Sequence, residues 1–109
     1  MKIALATDNR KNIALRTGRA KEFAIYHISG NKIVNVEYKP NTHHHHHHNH
    51  EESEHHHHSH KEIVDILKGV DLLLVRAISK HFKRDIEHAG ISYKLIKIAD
   101  IPTALKPYL

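Results

Sequence analysis

Cysteine is absent from this chain of 109 residues. Its absence removes disulfides, thiolate nucleophiles and Cys-ligated zinc or iron-sulfur sites. A metal bound by side chains here is held by nitrogen or oxygen. Long apolar runs are also missing: no stretch approaches the ~20 residues that a membrane-spanning helix requires. Met1 opens directly into a short apolar run with no signal-peptide pattern, so a cytoplasmic protein is expected. Aromatic residues are few, two Phe and four Tyr, which leaves little for nucleic-acid bases to stack on. There is no glycine-rich phosphate loop and no Ser, His and acid set in a recognisable context. No catalytic residue is assigned.

Histidine is in excess. Twelve of the fifteen stand in one tract, THHHHHHNHEESEHHHHSH, which begins at Thr42. They are His43, His44, His45, His46, His47, His48, His50, His55, His56, His57, His58 and His60. Neutral imidazole is a borderline ligand suited to Ni²⁺, Zn²⁺, Co²⁺ and Cu²⁺, and Glu51, Glu52 and Glu54 add oxygen donors. The tract carries no apolar residue that could offset its ordering entropy, so 42–60 is expected to be a disordered loop within a single domain, 1–109. Metal selectivity should be poor, because nothing fixes the ring orientations. Two other readings stand beside metal capture: an idle low-complexity spacer, and an expression tag, although tags usually sit at a terminus. Imidazoles with a reference pKa of about 6.5 lose their metals to protons as the pH falls.

The formal net charge of +5 arises from 17 Lys and Arg against 12 Asp and Glu, spread along the chain. That balance is compatible with an anionic partner without identifying one.

The apolar pattern predicts a buried strand over Lys2 to Thr7 and a hairpin of Phe23 to Ile28 with Lys32 to Tyr38, turning at Ser29-Gly30-Asn31. A short helix over Glu62 to Lys68 should be capped by Gly69, and VDLLLV, Val70 to Val75, should be a central strand. Ser79 caps a helix over Lys80 to Ala89 whose inner face is Phe82, Ile86 and Ala89. Ile91 to Ile98 reads as a fifth strand, with Ile91, Tyr93 and Leu95 on one face, and Thr103 to Leu109 as a terminal helix preceded by Pro102. This order implies a hairpin joined to right-handed βαβ units around one mixed sheet, with the first strand beside the fourth.

MKIALATD at the start, GRAKEFAIYHI from Gly18 to Ile28, VDLLLV and HAGISYKLI together resemble the dinitrogenase iron-molybdenum cofactor biosynthesis accessory family over almost the whole chain. The family includes NifX-like and NafY-like carriers and the C-terminal domain of NifB. The resemblance implies an α/β, ribonuclease H-like three-layer fold with a five-stranded mixed sheet in the order 3-2-1-4-5 and about three helices. It also implies a non-enzymatic carrier of an iron-sulfur or iron-molybdenum cluster, with a cofactor-assembly or acceptor protein as partner and no membrane. Two places depart from the family pattern. Arg16 and Thr17 stand where members commonly carry a His-Phe pair, and Ala77-Ile78-Ser79 replaces a glycine-rich turn.

In a sheet of that order the ligand crevice lies where the first and fourth strands part, at their carboxyl ends. Thr7, Asp8, Arg10, Arg16, Gly18 and Arg19 come there from the first loop, and Arg76, Ser79, Lys80 and His81 from the loop after the fourth strand. Of these, Asp8, Arg16, Gly18, Arg19, Arg76, Ser79 and His81 are the candidate cluster-binding residues. Arginines and a helix N-terminus suit an anion. A two-metal nuclease would need several convergent carboxylates; Asp8 is well placed, but Asp71 opens its strand at the far end and Asp85 and Glu87 fall on a helix. Two alternatives to the carrier remain. One is a nucleic-acid or protein interaction module that keeps the fold without the cofactor site; the other is a nickel, cobalt or zinc buffer acting through the tract alone.

Overall fold

The strand at the centre of the sheet is β1 (Lys2–Thr7) in the computed structural model of the chain, which describes residues 1–41 and 59–109. All of it but Lys2 is buried, because both faces are covered. Ala4 and Ala6 join one apolar cluster, Ile3 and Leu5 the other. Antiparallel β2 (Glu22–Ser29) flanks β1 on one side and carries the edge strand β3 (Lys32–Pro40). On the other side lies parallel β4 (Leu72–Val75), and beyond it β5 (Tyr93–Leu95). The sheet order is β3-β2-β1-β4-β5, as expected. The hairpin turns on Gly30 and Asn31, both at positive φ, which is what a two-residue type I′ turn demands.

Helices α1 (Ser59–Ile66) and α2 (Lys80–His88) cover one face of the sheet. Ile63 and the adjoining Leu67, with Phe82 and Ile86, pack on Phe23, Ile25, Leu73 and Val75 there. The short helix α3 (Ile101–Leu105), continued by a 3-10 turn over Lys106–Tyr108, covers the opposite face. Its Ile101, Ala104 and Leu105 meet Ile3, Leu5 and Leu74. Among the described residues no helix is long and apolar enough to cross a membrane.

Several boundaries differ from the sequence expectation; β4, for one, begins at Leu72 and not at Val70. Helix α1 begins at Ser59, not Glu62, so Ser59 and His60 belong to the helix rather than to the expected loop. Polar residues continue a helix readily, while apolar periodicity becomes visible only at Ile63. The rest of that loop, including His43 to His58, lies outside the described residues. The expected fifth strand shrinks to three residues because the chain after Ile96 leaves the ladder for the first loop, where Ile13 donates to the Ala99 carbonyl and Ile101 to that of Lys11, at 2.7 and 3.1 Å. Leu95, expected to share a face with Ile91 and Tyr93, is 62% exposed, whereas Ile91 is buried. The terminal helix starts earlier because Asp100 caps it, accepting from the Thr103 amide at 3.1 Å. Pro102 thus sits in its first turn, where the missing N–H costs nothing. Ala89 ends α2 as an exposed C-cap and is not part of its buried face.

Leu73 and Leu95 therefore separate core from edge. Leu73→Ala should lower the unfolding free energy by about 2–5 kcal/mol, whereas Leu95→Ala should stay within about 0.5 kcal/mol of the parent in urea denaturation. Equal losses would mean that β5 is longer and better packed than this.

Candidate functional site

The loop after β1 is shaped by its own polar side chains. The hydroxyl of fully buried Thr7 donates to the Asn12 carbonyl at 2.7 Å and accepts from the Arg10 amide at 2.9 Å. The side-chain oxygen of Asn9 takes the amides of Lys11 and Asn12. Arg10 sits at φ 64°, a left-handed conformation that costs a non-glycine residue energy. Its side chain is held on the face of the sheet that α3 covers. The guanidinium forms a two-point ion pair with Glu22, at 2.6 and 3.1 Å, and lies 3.9 Å from the centre of the Tyr38 ring. The hydrogen bond from Arg10 is the main reason that the Glu22 carboxyl is held below its ordinary pKa. Beside this group the Tyr26 hydroxyl is pushed up to about 12, first by burial and then by neighbouring Tyr38.

Further along, the same loop turns back to the sheet as a 3-10 turn over Thr17–Arg19. Thr17 is buried, and both its amide and its hydroxyl donate to the Ala77 carbonyl, at 3.4 and 3.0 Å. Arg16 and Ala77 pair as an isolated parallel bridge. This tie sets the first loop beside the exit of β4, and between them opens a cleft of about 430 Å³. Its lining is Arg16, Thr17, Gly18, Arg19, Ala77, Ile78, Ser79 and Phe82.

The lining has two chemistries. Arg16 and Arg19 are both exposed and bring positive charge, and among the described residues no acidic side chain offsets them within it. Ser79 caps α2 by accepting from the Phe82 amide at 3.2 Å, and first-turn amides of such a helix favour negative charge. Ala77, Ile78 and the Phe82 ring form an apolar wall. Gly18 faces that wall: a Cβ there would stand 3.7 Å from Phe82 Cδ2, in ordinary contact, and would fill part of the cleft. Among the described residues the lining contains no His, Asp or Glu, so these side chains can hold an anion by charge and hydrogen bonds but do not ligate a metal.

Of the residues expected at this rim, Arg16, Gly18, Arg19 and Ser79 come together. Asp8, Arg76 and His81 do not line the cleft. Asp8 accepts from the Lys21 amide at 2.9 Å and braces the loop. Arg76 turns back to the Ile13 carbonyl at 3.3 Å, and His81 stands exposed on the first turn of α2. Arg10 is taken by Glu22. The sequence marks Thr17, Ala77 and Ile78 only as departures from the family pattern, not as binding residues, and its periodicity places Phe82 in the core alone. The readable signal for Phe82 was its spacing from Ser79: three residues past an N-cap, a core-facing ring also stands at the helix mouth. Among the described residues no group of three His, Asp or Glu side chains is placed to hold a metal ion.

A family model described as dinitrogenase iron-molybdenum cofactor matches residues 1–109. No curated protein matches the chain. Among solved structures, the protein PH0822 is 22% identical with a TM-score of 0.72, the match covering 99% of this chain and 88% of that one. A protein of Methanocaldococcus jannaschii, provisionally described as a dinitrogenase, is 19% identical with a TM-score of 0.70 over 99% and 86%. The apo form of the orange protein from Desulfovibrio gigas is 17% identical with a TM-score of 0.72 over 98% and 85%. At these identities the likeness establishes the fold.

The Tyr26 environment has a pH signature. Its tyrosinate absorbance, isolated by difference against Tyr26→Phe, should rise with a midpoint near 12. The proton is held more tightly folded than unfolded, so the contribution to stability is complete below the ordinary tyrosine value of about 10 and is lost as the pH climbs through 12. A midpoint at the ordinary value would show that the Tyr26 ring is solvated.

Proposed function

The chain belongs to the dinitrogenase iron-molybdenum cofactor family, and on that premise we propose that it is a non-enzymatic carrier or accessory protein whose cleft holds an anionic metal-sulfur cluster as cargo. The observation that carries the reading is the cleft itself. Arg16 and Arg19 stand over an apolar wall with no acidic side chain among the lining residues, at the switch point of the sheet. An anion is attracted there by charge. A sulfide-rich one also suits Ala77, Ile78 and Phe82, because a weakly hydrated surface is cheaper to desolvate than a strongly hydrated one. The space left by Gly18 against Phe82 fits the same purpose.

The histidine tract supplies a second, complementary chemistry in this reading: capture of Ni²⁺, Zn²⁺, Co²⁺ or Cu²⁺ by His43 to His60. The tract leaves the described fold next to the cleft. Asn41, the last described residue before the tract, donates to the carbonyls of Gly18 and Ala20 at 3.3 and 2.9 Å. A cofactor-assembly or acceptor protein is the expected recipient.

Protein expressed without an added tag and purified anaerobically should retain, or take up, iron or molybdenum that survives removal of the tract histidines. Tetrathiomolybdate, a soluble sulfide-liganded anion, serves as a probe. At pH 8, where imidazoles are neutral, Arg16→Ala and Arg19→Ala should each weaken its binding by about tenfold. Gly18→Ala should weaken it too, without lowering the melting temperature. Binding unaffected by all three substitutions would remove the cleft from the proposal. Metal found only in protein that retains the tract would leave a divalent-ion buffer.

Uptake of Ni²⁺ or Zn²⁺ by the tract should fall steeply between about pH 7.5 and 5.5, as protons compete for the imidazoles. A flat profile would exclude histidine ligation.

A further inference from the structure

Asn41 is fully buried, an uncommon place for an amide side chain. Its Nδ2 group donates to two carbonyls at once, those of Gly18 and Ala20, which flank Arg19 on either side. Its orientation is fixed by chemistry. The two carbonyls can only accept, so the NH₂ end of the amide must face them. The Oδ1 end is buried and has no hydrogen-bond partner among the described residues. A side chain with a single donor could satisfy one of the carbonyls and not both.

The consequence falls on Arg19. The peptide before it is held through the Gly18 carbonyl, and the Arg19 amide itself donates to the Arg16 carbonyl at 3.1 Å. The peptide after Ala20 is held at both ends, the carbonyl by Asn41 and the Lys21 amide by Asp8 at 2.9 Å. The Asn41 backbone adds a third contact, its amide donating to the Lys21 carbonyl at 2.9 Å. With Ala20 buried beneath the turn, the backbone on both sides of Arg19 is pinned. Its guanidinium, by contrast, is exposed in the cleft. A flexible arginine loses side-chain and backbone freedom when it takes an anion. Pinning its backbone beforehand removes part of that loss.

We infer that Asn41 is the positioning residue of the cleft, holding the Gly18–Ala20 turn so that Arg19 is presented to the anion. The inference rests on the proposed use of the cleft for an anionic cargo. It assigns to Asn41 an action through Arg19 and no contact with the cargo.

A double-mutant cycle on the full chain tests this, with tetrathiomolybdate as the probe at pH 8 and thermal melting measured alongside. Asn41→Ala should weaken the probe by about five- to tenfold in the parent background and by less than about twofold when Arg19→Ala is already present. Asn41→Ser, with one donor in place of two, should lose less and show the same dependence on Arg19; it decides the matter if the alanine variant does not fold. Parent-like affinity in the folded Asn41 variants would overturn the inference, as would a loss that persists in full without Arg19. Those results leave the cleft reading intact. Failure of the parent protein to bind the probe would overturn the cleft reading, and the role of Asn41 with it.

Discussion

One carbonyl, that of Ala77, holds the working end of this molecule together. β1 and β4 run parallel at the middle of the sheet, and their chains then leave in opposite directions, toward β2 on one side and toward α2 on the other. Such a divergence opens a gap at the carboxyl ends of the strands. Left untied, the long first loop could settle anywhere over that gap. Thr17 prevents this by giving the Ala77 carbonyl both its amide and its hydroxyl in a buried setting. A buried hydrogen-bonding group left unpaired costs about 1–3 kcal/mol, so the loop is held where both lone pairs of that carbonyl are used. The cleft is what remains between the tied segments.

Charge is distributed by the same loop. Arg10 and Arg16 are six positions apart, but the backbone sends them to different sides. The left-handed turn at Arg10 directs its guanidinium to Glu22 and Tyr38, where it braces the loop against the hairpin. Arg16 and Arg19, on either side of the Thr17 tie, meet no carboxylate in the cleft among the described residues. The first arginine is spent on structure, which keeps the Glu22 carboxylate away from the other two. The strained φ at Arg10 is tolerated because an ion pair, a ring contact and the Thr7 hydroxyl all converge on that residue.

Much of this architecture is legible in the residues. The sheet order follows from a hairpin with a Gly-Asn turn and from apolar runs separated by helical periodicity, since few chain paths satisfy both. The cap at Ser79 was readable because its function is local. What could not be read depends on distant partners. β5 is cut short by hydrogen bonds between residues 99–101 and 11–13, and no pattern within Ile91 to Ile98 records that competition. Asp8, Arg76 and His81 carry the right chemistry in the right loops and still miss the cleft, because carbonyls and amides elsewhere in the chain claim the first two. Thr17 is marked in the sequence only as a departure from the family pattern, and its role is not legible: a threonine in a polar loop looks the same whether it faces water or bridges two strands. Sequence supplies the membership of a site more readily than the direction of its side chains.

Under the proposed function, the two metal-facing features of this chain select opposite charges. The arginines of the cleft repel a bare divalent cation and attract a metal only when its own ligands have made it an anion. The neutral imidazoles of the tract do the reverse, since they bind by donating lone pairs to an electron-poor ion. One form of a metal cannot satisfy both. Under the proposed function, therefore, the tract and the cleft act on chemically distinct stages of the same cargo, an ion before it is assembled and a cluster after. Acidification would blur that division: below a pH of about 6.5 the tract becomes cationic and attracts anions without discrimination, while the arginines stay charged. Selectivity between free ion and finished cluster is then a property of neutral or alkaline conditions, set by the gap between imidazole and guanidinium pKa values.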